Sequence, residues 1–223
     1  MRAMNRHDLD HLFDETLADR RLLTHPFYRR WEAGELAPDE LAAYAGQYRH
    51  FEAAVVEVLS DVVHALPDGA ARQLVQANLD DERGVPAPHL ALFDEFLAAV
   101  NGEENAPAVP ATARLVSLYR RLAADAPAGA LAALGAYEVQ APAVAVSKAD
   151  GLVRHYGLSA EATRFWDVHG VMDEAHAGWT IDALAALLAD EATVRDAAGA
   201  AADAWWAFLD EREEAAAAPA FAG

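Results

Sequence analysis

His169, Asp173 and His176 are separated by steps of four and three residues. At 100° per residue those steps put their side chains at 0°, about +40° and about −20° around a helix axis, one stripe of one helix. Imidazole and carboxylate on one stripe is what a metal site inside a helix bundle needs. A solvated polar face, with Asp167 and Glu174 nearby, is the other reading. Glu138 is the second departure from a bland pattern, because it is the only charged residue between Ala126 and Ser147. A buried, unpaired carboxylate is costly and calls for a cation, a proton or strong hydrogen bonds. If the small residues around it face water, it is merely solvated. The third is Asp80-Asp81-Glu82, with His89 following across a Gly/Pro break, so that Glu82 and His89 could face one point. Acidic helix ends are common, and alone this signal is weak. Together, two carboxylate-and-histidine sets and one lone carboxylate match the bundle recipe for di-iron or di-manganese sites. Oxygen and imidazole donors without thiolate suit Fe or Mn, with Zn less specific.

The elements that must position these groups are helical. Asp8 is the expected cap of a first helix whose Leu9, Leu12, Phe13 and Leu17 share a face. Residues 24–37 read as a break and short turn. Pro38 then opens a long helix with Tyr44, Tyr48, Phe51, Val55, Val58 and Val62 along a buried seam. Further helices are expected at about 71–82, 89–100, 111–124, 128–155, 160–189 (bent near Gly178) and 191–213. No alternating strand pattern and no internal repeat appears. The expectation is an all-α bundle, a single domain over 1–213 with a flexible tail at 214–223.

Composition narrows the function. Seventeen basic residues against 36 acidic ones leave the 223-residue chain at −19, with 54% hydrophobic residues and no cysteine. The missing cysteine removes disulfides, thiolate metal sites, iron–sulfur clusters and a cysteine nucleophile. The negative charge argues against nucleic acid and against anionic membrane surfaces. No signal-peptide pattern shows in the first ten residues, and the apolar stretch 126–147 is interrupted by Pro127, Glu138, Gln140 and Pro142. A soluble, cytoplasmic protein is expected, and the acidic excess would suit a high-salt cytoplasm.

Glu82-x6-His89, Glu138 and His169-x3-Asp173-x2-His176 resemble the six-ligand pattern of di-metal oxidases with the heme-oxygenase fold. The similarity is greatest to the CADD branch of TenA/PqqC-like proteins. It extends to His25-Pro26-Phe27-Tyr28 through Trp31, Gly34, Glu35 and Leu36, to Leu41–Tyr44, to Asn78-Leu79-Asp80-Asp81-Glu82, to Tyr137-Glu138, and to Lys148 ten residues on. It covers roughly residues 8–210.

The resemblance implies a seven- to eight-helix heme-oxygenase-like bundle whose six ligands hold two divalent transition metals, Fe/Fe or Fe/Mn. It also implies O2 as co-substrate, an external reductant or redox partner, and a product, p-aminobenzoate, destined for folate. In that branch the ring is thought to come from one of the enzyme's own tyrosines, which would make Tyr28 the sacrificed side chain. Tyr44 would be its redox or positioning partner and Lys148 the amino donor. Lys148 is the only lysine among the 17 basic residues. A desolvated lysine can act as a nitrogen nucleophile, which an arginine of pKa above about 12 cannot. The plainer reading makes the two tyrosines core aromatics and Lys148 a surface residue. Two other functions compete: a di-iron oxidase with an external substrate, such as an oxidative decarboxylase, and a non-catalytic TenA-like binding or regulatory protein. A homodimer is common for this fold; the sequence leaves oligomeric state open.

Overall fold

A computed structural model describes residues 4–84 and 87–217. Among these, secondary structure is helical throughout: α1 (Arg6–Leu17), α2 (Pro26–Ala33), α3 (Pro38–Ala65), α4 (Ala70–Arg83), α5 (His89–Ala99), α6 (Pro110–Asp125), α7 (Pro127–Glu138), α8 (Ala141–Tyr156), α9 (Ala160–Ala186) and α10 (Glu191–Ala217), with a 3₁₀ turn at Leu22–Thr24. The all-α expectation holds, with more segments than expected because two stretches divide differently.

The first is 24–37, read above as a turn, which contains helix α2. The His25 ring accepts from the Phe27 amide, Pro26 occupies the first turn, and Gly34 ends the helix with φ +72°. An N-cap, a first-turn proline and a left-handed C-cap are enough to define two turns of helix that a hydrophobic-periodicity reading passes over. The second is the expected 128–155 helix, which is interrupted at Val139 and Gln140. There the Gln140 side chain accepts from the Leu22 amide (2.9 Å) and donates to the Ala136 carbonyl (2.9 Å). Smaller corrections concern caps and ends. Asn5, rather than Asp8, is the N-cap of α1, and Asp8 completes the capping box as its third residue. Helix α9 stops at Ala186, and α10 runs on to Ala217, past the expected end at 213. Val85 and Pro86 of the expected break, and 218–223 of the expected tail, lie outside the described residues.

Helix α7 is buried on every side, from Gly129 to Ala136, and ends in buried Glu138. A helix apolar all round belongs in the middle of a bundle. Its glycines and alanines let α6, α9 and α10 approach closely. The span 127–156 is apolar enough to cross a membrane by composition, but 72% of its most apolar window is buried inside the fold, as in a core helix pair. Helix α9 is the other hub and packs on α4, α5, α7 and α8. Side chains on one stripe of α9 therefore meet the C-terminal ends of α4 and α7 and the start of α5.

The turn from α4 to α5 is held by one glycine. Gly84 has φ +49°, and a Cβ there would lie 2.2 Å from the Ala87 carbonyl oxygen, a backbone atom that cannot swing aside. Gly84→Ala should cost more than about 1 kcal/mol, because the native φ is incompatible with a side chain. It should also loosen the return of His89 onto Glu82. Thermal denaturation should show a fall of at least about 2–4 °C for a chain of this size. An unchanged melting temperature would refute the strained turn.

Candidate metal centre

Four helices carry the six candidate ligands chosen from the sequence, and all six are buried. Glu82 ends α4 and His89 begins α5; His89 Nδ1 lies 3.1 Å from Glu82 Oε2. From α9, His176 Nδ1 lies 3.3 Å from Asp173 Oδ1 and 3.7 Å from Glu82 Oε1. The His89 and His169 rings are 4.6 Å apart between centroids. Ligand atoms of Glu82, His89 and His169 all fall within 4.8 Å of one another, close enough to share one ion. Glu138, at the end of α7, couples electrostatically to His176 and Asp173, and its Oε1 accepts from Asn78 Nδ2 at 2.9 Å.

Two orphaned atoms indicate what this cluster is built for. Glu138 Oε2 is buried without a hydrogen-bond partner, and so is His89 Nδ1 despite its short approach to Glu82. A carboxylate and an imidazole that are close yet off hydrogen-bond geometry are arranged as two ligands of a common cation would be. His169 donates from Nδ1 to the Phe165 carbonyl (2.8 Å), which fixes the tautomer and leaves Nε2 free as a donor atom. The residues fit a metal.

The electrostatics agree. Burial raises the Glu138 carboxyl pKa, opposed by His176, by the neighbouring Thr180 and by the hydrogen bond from Asn78. For Glu82, burial is outweighed by the close approach of His89 and by His169 and His176 beside it, and its pKa falls. His169 is lowered by burial and so favours the neutral, ligating form. Burial also acts to lower His176, but Asp173, Glu82 and Glu138 overcome it and push the pKa up to about 10. In the metal-free cluster that proton offsets part of a crowded negative charge, the role a bound cation would take over.

A second cluster lies in the same core. Tyr28 from α2, Tyr44 from α3 and Lys148 from α8 are each no more than 1% exposed. Lys148 Nζ donates to Tyr44 Oη at 2.6 Å, and the Tyr28 and Tyr44 hydroxyls are 3.0 Å apart. The Lys148 nitrogen sits 4.9 Å from the Tyr28 ring centroid and 4.0 Å from that of Trp166. Burial pulls the Lys148 amine well below its usual range, Glu52 and Asp173 opposing. The surface-lysine reading is thereby corrected. Burial likewise raises the Tyr28 and Tyr44 hydroxyls, keeping them protonated.

Glu52, a buried carboxyl that sequence reasoning missed, couples electrostatically to both clusters. Burial raises its pKa well above the carboxylate range; Glu82 and Asp173 push the same way, while Lys148 opposes. Its signal was present: 44, 48 and 52 form an i, i+4 row on α3, so an acid at 52 shares the face of the buried tyrosines. Asp81 was also passed over as an individual residue, although its Oδ2 lies 2.7 Å from His176 Nε2. Trp166, which covers the Lys148 amine, had no signal beyond being apolar.

A helical bundle with carboxylates and imidazoles converging in its core has the architecture of a metal-dependent redox enzyme. Residues 42–208 match the family of iron-containing redox enzymes, and the protein belongs to it and is an oxidoreductase. The chain is 36% identical over 215 residues to the 4-aminobenzoate synthase of Nitrosomonas europaea, covering 88% of this chain and 87% of that one. In structure it resembles a TenA homolog from Pseudomonas syringae (TM-score 0.81, 16% identity, 96% and 98% of the two chains). It also resembles a CADD-like protein of unknown function from Nostoc punctiforme (TM-score 0.76, 21% identity, 95% and 100%). The fold is the heme-oxygenase-like bundle expected from the motifs.

Proposed function

We propose that this protein makes 4-aminobenzoate from its own side chains, with Tyr28 supplying the ring and Lys148 the nitrogen. The observation that carries the reading is the enclosed triad: the chain's one lysine, its amine favoured neutral by burial, lies over the Tyr28 ring and hydrogen-bonds the tyrosine paired with it. An external aromatic substrate would have to displace side chains that are no more than 1% exposed. The relationship to 4-aminobenzoate synthases supports the product.

In bond terms, the Tyr28 Cα–Cβ bond breaks and Cβ becomes the carboxyl carbon, oxidised by O2. The ring C–O bond para to it is exchanged for a C–N bond to the Lys148 nitrogen, the oxygen leaving as water. The Lys148 Cε–Nζ bond then breaks by hydrolysis of the Cε imine, which leaves Cε as an aldehyde and frees the arylamine, and an external reductant supplies the remaining electrons for the reduction of O2. Glu82, His89, Glu138, His169, Asp173 and His176 would hold two metals, Fe/Fe or Fe/Mn, which supply O2 activation when bound. Tyr44 accepts the Lys148 hydrogen bond and holds the amine beside the Tyr28 ring. Glu52 couples electrostatically to the amine and to the acidic residues Glu82 and Asp173. The reading also carries an electron-donor partner and a cytoplasmic setting.

Isotopes test it. Protein carrying ¹⁵N-lysine and ¹³C-tyrosine, incubated with Fe(II), O2 and reductant, should release 4-aminobenzoate bearing both labels. The yield should not exceed one product per chain, and the peptide containing residue 28 should lose its ring by mass spectrometry. Unlabelled product would refute the internal source.

A further inference from the structure

We propose that Asp81 is a positioning residue of the metal centre: it accepts a hydrogen bond from His176 Nε2–H and thereby presents Nδ1 of that ring to the metal. The inference rests on the metal-centre reading above and adds to it the ligating atom of His176 and the residue that selects it.

Asp81 and Glu82 are neighbours in sequence, about 100° apart around the end of α4. Their carboxylates consequently reach the same imidazoles from different sides. Glu82 faces the Nδ1 atoms, at 3.1 Å for His89 and 3.7 Å for His176. Asp81 faces the Nε2 atoms, at 2.7 Å for His176 and 3.9 Å for His89. Only the 2.7 Å contact is a hydrogen bond. The His176 Nδ1 atom looks inward at Asp173 and Glu82, both ligand carboxylates, so the two nitrogens of this ring have separate duties.

Exposure points the same way. The Asp81 side chain is 27% exposed against 2% for His176, so the acid stands at the solvent rim behind the ring, outside the ligand shell. A ligating histidine generally donates its other N–H to a carboxylate or carbonyl, which fixes both tautomer and ring orientation. His169 uses the Phe165 carbonyl from its Nδ1 and keeps Nε2 for the metal. His176, two turns further along α9, uses Asp81 from Nε2 and keeps Nδ1. Two histidines on one stripe therefore ligate through opposite nitrogens.

The test uses metal-stripped full-length protein titrated with Zn(II), a diamagnetic probe, in competition with a chelating dye. Long-range ¹H–¹⁵N correlation spectra of the ¹⁵N-histidine, Zn-loaded protein read the tautomers. The wild type should show His176 metallated at Nδ1 and protonated at Nε2. Asp81→Ala should bind Zn(II) about 10–100-fold more weakly. Asp81→Asn, whose amide oxygen accepts the same hydrogen bond, should stay within a few-fold of wild type. His176 metallated at Nε2, or unchanged affinity in Asp81→Ala, overturns the proposal. Asp81→Asn as weak as Asp81→Ala also overturns it, by making Asp81 a charged ligand. If the wild type binds Zn(II) and Fe(II) no better than a denatured control, the metal-centre reading falls and this role falls with it. Tight wild-type binding with an indifferent Asp81→Ala removes the positioning role alone.

Discussion

Tyr28→Phe should yield no 4-aminobenzoate above background while keeping its metal and its fold. The phenol oxygen marks the ring carbon at which nitrogen must arrive, and a phenylalanine ring offers no C–O bond to exchange. Only one hydroxyl is removed, and its partner Tyr44 keeps the hydrogen bond from Lys148. The fold should lose no more than about 1 kcal/mol, the net worth of an ordinary hydrogen bond. An enzyme acting on an external substrate would go on making product, so full yield from Tyr28→Phe would sink the self-sacrifice reading. Lys148→Met gives the matching result from the nitrogen side. Methionine fills a similar volume without a polar group to bury, so stability should be unchanged or higher while product disappears. Lys148→Arg is a poorer probe, since it places a permanently charged guanidinium in a cage of aromatic rings.

The second large effect is at the metal. Freshly purified protein should carry close to two Fe or Mn per chain by elemental analysis, and His176→Ala should lose metal and product together. Glu138→Gln separates a ligand from a structural acid by the sign of its effect. In metal-free protein Glu138 is a buried carboxyl with one orphaned oxygen, and burial raises its pKa. Replacing it with a neutral isostere that still accepts from Asn78 should leave metal-free stability unchanged or raise it. The loaded protein should instead lose metal affinity, together with the stabilisation a ligand confers by binding only the folded state, about 2.7 kcal/mol at a hundredfold excess over Kd. Thermal melts with and without Fe(II) measure both. Destabilisation of the metal-free protein, with metal uptake intact, would make Glu138 a structural residue.

The stripe of His169, Asp173 and His176 was readable because a helix converts sequence steps of three and four into one face, whatever surrounds it. Glu138 stood out by contrast, a lone charge in a helix of alanine, glycine and leucine. Glu52 was hidden by the same logic. It lies in a seam whose period had already announced a buried face, and a carboxyl there reads as an interruption until Glu82, Asp173 and Lys148 are seen around it. Helix α2 was missed because two turns are too short for periodicity, and its evidence lay in the cap residues at His25, Pro26 and Gly34.

From the sequence alone follow the helical class, the absence of thiolate chemistry, the six oxygen and nitrogen donors and the single available amine. Each depends on residue identity or on spacing within one helix, which are local properties. Burial, distance and direction required the tertiary structure. Packing of α9 against α4, α5 and α7 at once decides that the donors meet. Burial of Lys148 among α2, α3, α8 and α9 favours a neutral amine, because a charge loses hydration there that its neighbours do not fully replace. The choice between Asp81 and Glu82 is likewise tertiary. Both are acids at the end of one helix, and only the angle at which α4 meets α5 and α9 puts Glu82 on the inner side of the imidazoles and Asp81 on the outer.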